Sequence, residues 1–180
     1  MRLQDTIEGI RNRLKTQGGE GAQAAVAIFF RRGAVDLDLF LVKRALVPSD
    51  PWSGDMAFPG GKRVPEDKDL METARREVLE ETGVDLYETG YLGMMETVFS
   101  TVRPGMGVLP FVFVVEDVPE IRLNEELTSY LWVPLGELRE SRGRAVVKRL
   151  EVPVFHVEGE VVWGLTYRML DKLLEIVEGD

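Results

Sequence analysis

The chain has 180 residues, 44% of them hydrophobic, and a net charge of −9 from 22 basic and 31 acidic side chains; it has no cysteine and a single histidine, His156. This balance predicts one domain spanning residues 1–180 with a real core. It excludes disulfides, thiolate metal sites, a cysteine nucleophile and an imidazole metal cluster, so any metal must be held by oxygen. It also argues against nucleic-acid partners, whose phosphates want a basic surface.

Leu3, Ile7, Ile10 and Leu14 recur at helical spacing, so residues 1–17 read as an amphipathic helical extension. That segment is charged throughout and lacks the apolar stretch of a signal peptide. No apolar run reaches the roughly 18 residues of a membrane span. A cytoplasmic protein with no membrane partner is the expectation. The apolar run 24–30 and the partly alternating 37–45 read as two strands of a hairpin turned by Gly33 and Asp36. Residues 46–67 are dense in Pro, Gly, Ser and Asp without periodicity, and a loop of that length in a compact domain is more often functional than not.

A helix follows over 69–82. Asp69 with Glu72 three residues on forms a capping-box start, and Gly83 stops it. Residues 88–100, 107–117 and 130–135 read as strands, 136–141 as a short helix, and 152–157 with 160–165 as a hairpin around Glu158–Gly159. A last helix, 166–178, closes the chain with Leu173, Leu174 and Val177 on one side. His156, in an apolar strand pattern, reads as structural. The alternation of elements gives an α/β chain of α+β type, a mixed sheet covered by helices.

The helix 69–82 carries the chemistry. Met71, Ala74 and Val78 fall within about 60° on a helical wheel and form its apolar stripe. Glu77 and Glu81 run along one edge, and Glu80 lies on the same side. Three carboxylates at the border of a buried stripe are partly desolvated, and unpaired charge there is costly. A hard divalent cation such as Mg²⁺ resolves this, since it takes oxygen ligands and keeps waters and substrate phosphates in its shell.

Residues 58–84 resemble the Nudix box, G-x5-E-x7-R-E-u-x-E-E-x-G-u with u aliphatic. Gly61 opens it, and Arg76, Glu77, Val78, Glu80, Glu81, Gly83 and Val84 fill its second half. Fourteen residues separate Gly61 from Arg76 where the common pattern has thirteen, so the first glutamate of the box aligns with Asp67, or with Glu66 if the extra residue follows it. Within that superfamily the chain is most similar to the coenzyme A pyrophosphatase branch. Arg44-Ala45, Gly54 and Phe58-Pro59-Gly60-Gly61 match its upstream motif, but Ser49 stands where a second arginine is expected.

The resemblance implies a Nudix-like α/β/α sandwich with a catalytic loop–helix–loop. It implies Mg²⁺- or Mn²⁺-dependent hydrolysis of a small-molecule diphosphate: coenzyme A or a derivative, or alternatively ADP-ribose, a dinucleotide or a (d)NTP. A non-catalytic ligand-binding module usually goes with lost box glutamates, and none is lost here. By analogy Glu77, Glu80 and Glu81, with the Gly61 carbonyl, hold metal, while Arg76 either touches phosphate or orients the glutamates, the resemblance favouring the second. The general base is a box glutamate or a later one, with Glu125 and Glu126 as candidates. Arg44, Lys62 and Arg63 flank the loop as candidate substrate contacts, and Trp52 either stacks on a base or pins the loop. Homodimers are common in the family, and the N-terminal extension is a candidate for packing on a second subunit.

Overall fold

The computed structural model describes residues 2–88, 90–117 and 120–179. Met1, Thr89 and Asp180, which fall in the extension, a strand segment and the domain end read above, lie outside the described residues. Strand β1 (Ala22–Arg32) is central: it pairs antiparallel with β2 (Leu37–Arg44) and, through Ala24↔Lys62 to Val26↔Gly60, with β4 (Gly60–Lys62). It pairs in parallel with β7 (Gly107–Val115) from Ala22↔Gly107 to Arg31↔Val115. The edges are completed by β3 (Met56–Ala57) and β8 (Leu127–Pro134) on β2, and by β5 (Gly90–Met94) and β6 (Val98–Phe99) on β7. A second, three-stranded sheet runs β11-β10-β9, from β9 (Arg142–Val147), β10 (Leu150–Val157) and β11 (Glu160–Val162).

Both faces of the large sheet are covered, which is why β7 is buried at every position and reads as one continuous apolar run. Ile28 and Phe30 point to one side, where they pack with α1 (Leu3–Arg13), α3 (Leu135–Glu140) and α4 (Gly164–Glu178). Ala25, Ala27 and Phe29 point to the other and pack with Ala74 and Val78 of α2 (Leu70–Thr82). The result is the α/β/α sandwich expected. The apolar face of α1 is covered inside the chain: Ile7 and Ile10 are buried, and Arg13 Nη1 donates to the Ile176 carbonyl of α4 at 3.1 Å. Among the described residues no helix is long and apolar enough to cross a membrane.

Two elements differ from expectation. The loop 46–67 contains β3 and β4, two- and three-residue strands too short for periodicity to mark. Strand β9 precedes the expected 152–157 strand and turns into it through Lys148 (φ 49°) and Arg149 (φ 69°), without the Gly or Asn that usually announces such a turn. His156 is exposed on β10 and lies over Gly143.

Candidate functional site

The glycine loop and α2 are joined by one arginine. Asp69 caps the helix by accepting from the Glu72 amide at 2.9 Å, and Glu72 reaches back to the Lys68 amide at 2.7 Å, one residue earlier than a standard capping box. At the other end Gly83 adopts the left-handed conformation (φ 75°) and closes onto the Leu79 carbonyl. Between them Arg76 donates from Nε and Nη2 to the two carboxylate oxygens of Asp67, at 2.8 and 2.9 Å. Its Nη1 donates to Glu77 Oε1 at 2.9 Å and lies 3.4 Å from Glu80 Oε2. Asp67 also accepts from the Thr73 hydroxyl at 2.8 Å and the Val64 amide at 3.2 Å. It is 3% exposed, so its charge is compensated almost wholly inside the protein. The Arg76 bonds hold the Asp67 carboxyl well below the usual carboxylate range, with burial opposing. Of the two alignments left by the fourteen-residue spacing, the geometry places Asp67, not exposed Glu66, against Arg76.

The three box glutamates are not equivalent. Glu81 is 4% exposed, whereas the Glu80 side chain is 56% exposed. Burial first, then the charges of Glu77 and Glu126, push the Glu81 carboxyl up to about 8, while Arg44 and the Gly60 amide pull it back. Glu77 is raised by burial, with Arg76 opposing and Glu80 and Glu126 adding. Glu126, in the turn before β8, thus adds its charge to both carboxylates, and Asn124 of that turn donates its amide to the Glu81 carbonyl at 3.0 Å.

Gly61 is where the loop meets this face: a Cβ there would lie 2.6 Å from the Glu77 carboxylate. At Gly60 a Cβ would strike the Ala25 carbonyl and come within 2.6 Å of Val26 Cα. The glycines thus let the backbone lie against both the carboxylates and β1. Among the described residues no three acidic or imidazole side chains already stand in ligand geometry. The carboxylates instead form one acidic cluster that runs from buried Glu81 to exposed Glu80. Its charge surplus, its oxygen-only donors and the cradle at Gly61 fit a hard divalent cation that keeps part of its water.

Beyond the glycines opens a cavity of about 430 Å³, within the range of about 300–1,000 Å³ usual for small-molecule sites. Its lining includes Gly60, Gly61, Lys62, Trp52, Arg103 and Trp163. Of the expected substrate contacts, Arg44, Lys62 and Trp52 line it and Arg63 does not. Arg63 Nη2 instead donates to the Asp67 and Lys68 carbonyls at 3.1 and 2.9 Å, bracing the loop. Arg44 forks onto Asp50 Oδ2 at 2.6 and 3.2 Å. The Arg103 guanidinium lies 4.7 Å over the Trp52 ring. Trp163 donates its indole N–H to Asp55 Oδ1 at 3.1 Å, an edge contact between residues 108 apart in sequence that no local pattern signals.

The NUDIX domain family model matches residues 21–151. The chain is 38% identical over 107 residues to an uncharacterized protein of Schizosaccharomyces pombe, covering 56% of this chain and 32% of that one. It is 32% identical over 137 residues to the mitochondrial coenzyme A diphosphatase NUDT8 of Homo sapiens (69% and 56% covered). To the uncharacterized Nudix hydrolase NudL of Yersinia enterocolitica it is 35% identical over 133 residues (69% and 67%). The chain therefore spans from about a third to two thirds of the length of these relatives. Among solved structures it resembles a MutT/nudix family protein from Enterococcus faecalis (TM-score 0.59, 14% identity, 100% of this chain and 71% of that one covered). It also resembles the NUDIX domain of Shewanella oneidensis NrtR complexed with ADP ribose (TM-score 0.56, 15% identity, 93% and 90% covered). At these identities the structural likeness speaks for the fold.

Proposed function

The chain belongs to the NUDIX family, and from that premise we propose that it is a divalent-metal-dependent pyrophosphohydrolase that cleaves the diphosphate linkage of coenzyme A or a derivative. The observation that carries the reaction class is the carboxylate cluster of Glu77, Glu81 and Glu126, set against Gly60 and Gly61, two residues that also line the cavity. A diphosphate and this face are both anionic, and only a bridging cation brings them together.

Glu77, Glu80 and Glu81, with the Gly61 carbonyl, would hold Mg²⁺ or Mn²⁺, which supplies Lewis-acid polarisation of phosphoryl oxygens and a more acidic water. Arg76 is the orienting group in this reading. It is committed to Asp67 and turns Glu77 Oε1 toward the loop, so it is not free to follow a substrate. Glu126 is the better placed of the two base candidates, because its charge reaches Glu77 and Glu81 across the site. As base it would take a proton from the attacking water. Lys62 and Arg103 on the cavity wall would meet the outer phosphates, and Trp52 would wall the cavity beneath Arg103.

The likeness to NUDT8 supports coenzyme A. Ser49 on the cavity wall, in place of an arginine, and Arg44 tied to Asp50 support the second reading, a less highly charged diphosphate such as ADP-ribose. The test is a panel of coenzyme A, ADP-ribose, dinucleotides and (d)NTPs with Mg²⁺ and Mn²⁺, read by product mass. Coenzyme A gives a phosphopantetheine and an adenosine bisphosphate. Unchanged metal-dependent turnover in Glu77→Gln and Glu81→Gln would refute the metal assignment.

A further inference from the structure

The non-glycine residues with positive φ among those described are Lys148, Arg149 and Glu158. Two of them stand side by side at the β9–β10 tip, a turn that Asn and Gly fill with less strain. Strained backbone persists where its surroundings fix it, and it invites the question of what the strain positions. At Lys148 the answer is visible. Its Nζ donates to the Pro51 carbonyl at 2.6 Å, across 97 residues of sequence, and stands 5.0 Å over the Trp163 ring.

Pro51 and Trp163 belong to two segments that both contribute to the cavity's lining. One contributes Asp50, Trp52 and Asp55, and the other Trp163, Gly164 and Leu165. Segment 46–55 holds no helix or strand; Leu46 and Val47 in it are 83% and 45% exposed, and Trp52 is half-buried. Trp163 is gripped at its edge by Asp55 and on its face by Lys148, and Lys148 grips the segment again at Pro51. The small sheet thereby meets segment 46–55 through the Lys148 ammonium, besides the Lys43–Glu160 pair that joins β2 to β11 at 2.7 Å.

We propose that Lys148 is a positioning residue whose ammonium pins segment 46–55 to Trp163 and so sets the affinity of the cavity for its substrate. This rests on the reading that the cavity takes the substrate. Lys148 is exposed and touches no part of the carboxylate face, so its removal loosens the wall without disturbing the fold or the reacting groups.

The test uses Lys148→Met, which keeps the stem, Lys148→Arg, which keeps the charge, and Arg149→Met on the same strained turn. Amide hydrogen exchange of residues 47–55 is followed without substrate, alongside steady-state kinetics on the best diphosphate of the panel. Lys148→Met speeds exchange in 47–55 by about tenfold, as expected for one lost charge-assisted bond, and raises KM about five- to tenfold with kcat within about twofold. Lys148→Arg restores most of both, and Arg149→Met changes neither. Unchanged exchange in Lys148→Met, a fall in kcat at constant KM, or equal effects from Arg149→Met would each overturn the proposal. A wild type that hydrolyses no diphosphate refutes the functional reading instead, and the exchange arm still decides whether Lys148 pins the segment.

Discussion

Asp67 is buried, accepts four hydrogen bonds and carries the bidentate pair that ties the glycine loop to α2, so its removal is the sharpest test of how that loop is held. Removing one partner of a buried pair costs about 3–5 kcal/mol. The Arg76 side chain is 27% exposed and keeps Glu77 at 2.9 Å, which offsets part of that loss. Asp67→Ala should therefore destabilise by about 2–4 kcal/mol. Asp67→Asn keeps the shape and loses the charge on two bonds, each worth about 1 kcal/mol more when ionic than when neutral, for about 2 kcal/mol. With a urea m-value near 2 kcal/mol/M, the Asn variant unfolds at about 1 M lower urea, read by tryptophan fluorescence. The depressed Asp67 carboxyl contributes fully above the ordinary aspartate value of about 3.9, and its contribution fades as pH falls below it. The gap between wild type and Asp67→Asn should hold from pH 8 to 5 and narrow below about pH 4. A midpoint for Asp67→Ala within about 0.2 M of wild type would refute this account of the ion pair.

Glu81→Gln, with chelator present, should raise Tm by about 2–4 °C, since it removes a buried carboxylate facing Glu77 and Glu126, while metal-dependent hydrolysis falls by at least about 100-fold. Gly61→Ala should lower activity by about 100-fold with little change in Tm, because the new methyl meets the Glu77 carboxylate, whose displacement is local. Gly60→Ala should fail to give soluble folded protein, because its methyl meets the backbone of Ala25 and Val26; solubility and far-UV circular dichroism check this.

What could be read from the chain was what lies close together along it. Helix α2 announces itself through Asp69, the Met71, Ala74, Val78 stripe and Gly83, and all of these act where expected. The wheel also put Glu81 on the buried border, where it lies, but could not separate it from exposed Glu80, because burial depends on β1 and the turn before β8. Between Asp67 and Glu66, the fold shows which one turns inward: Asp67 is buried and Glu66 exposed. Glu126 stood level with Glu125 until the 124–126 turn docked on the end of α2. Strand β9 was missed because Lys148 and Arg149 carry no turn signature, and with it went every contact that Lys148 makes.

The parallel pairing of β1 with β7 has a consequence for synthesis. The strand Ala22–Arg32 leaves the ribosome roughly 85 residues before its partner, which at about 5–20 residues/s leaves it waiting about 4–17 s. During that interval Ile28, Phe29 and Phe30 have β2 beside them but neither β7 nor α4. The nascent chain thus carries an open, strongly apolar strand edge, the kind of surface that holding chaperones bind and that crowded expression turns into aggregate.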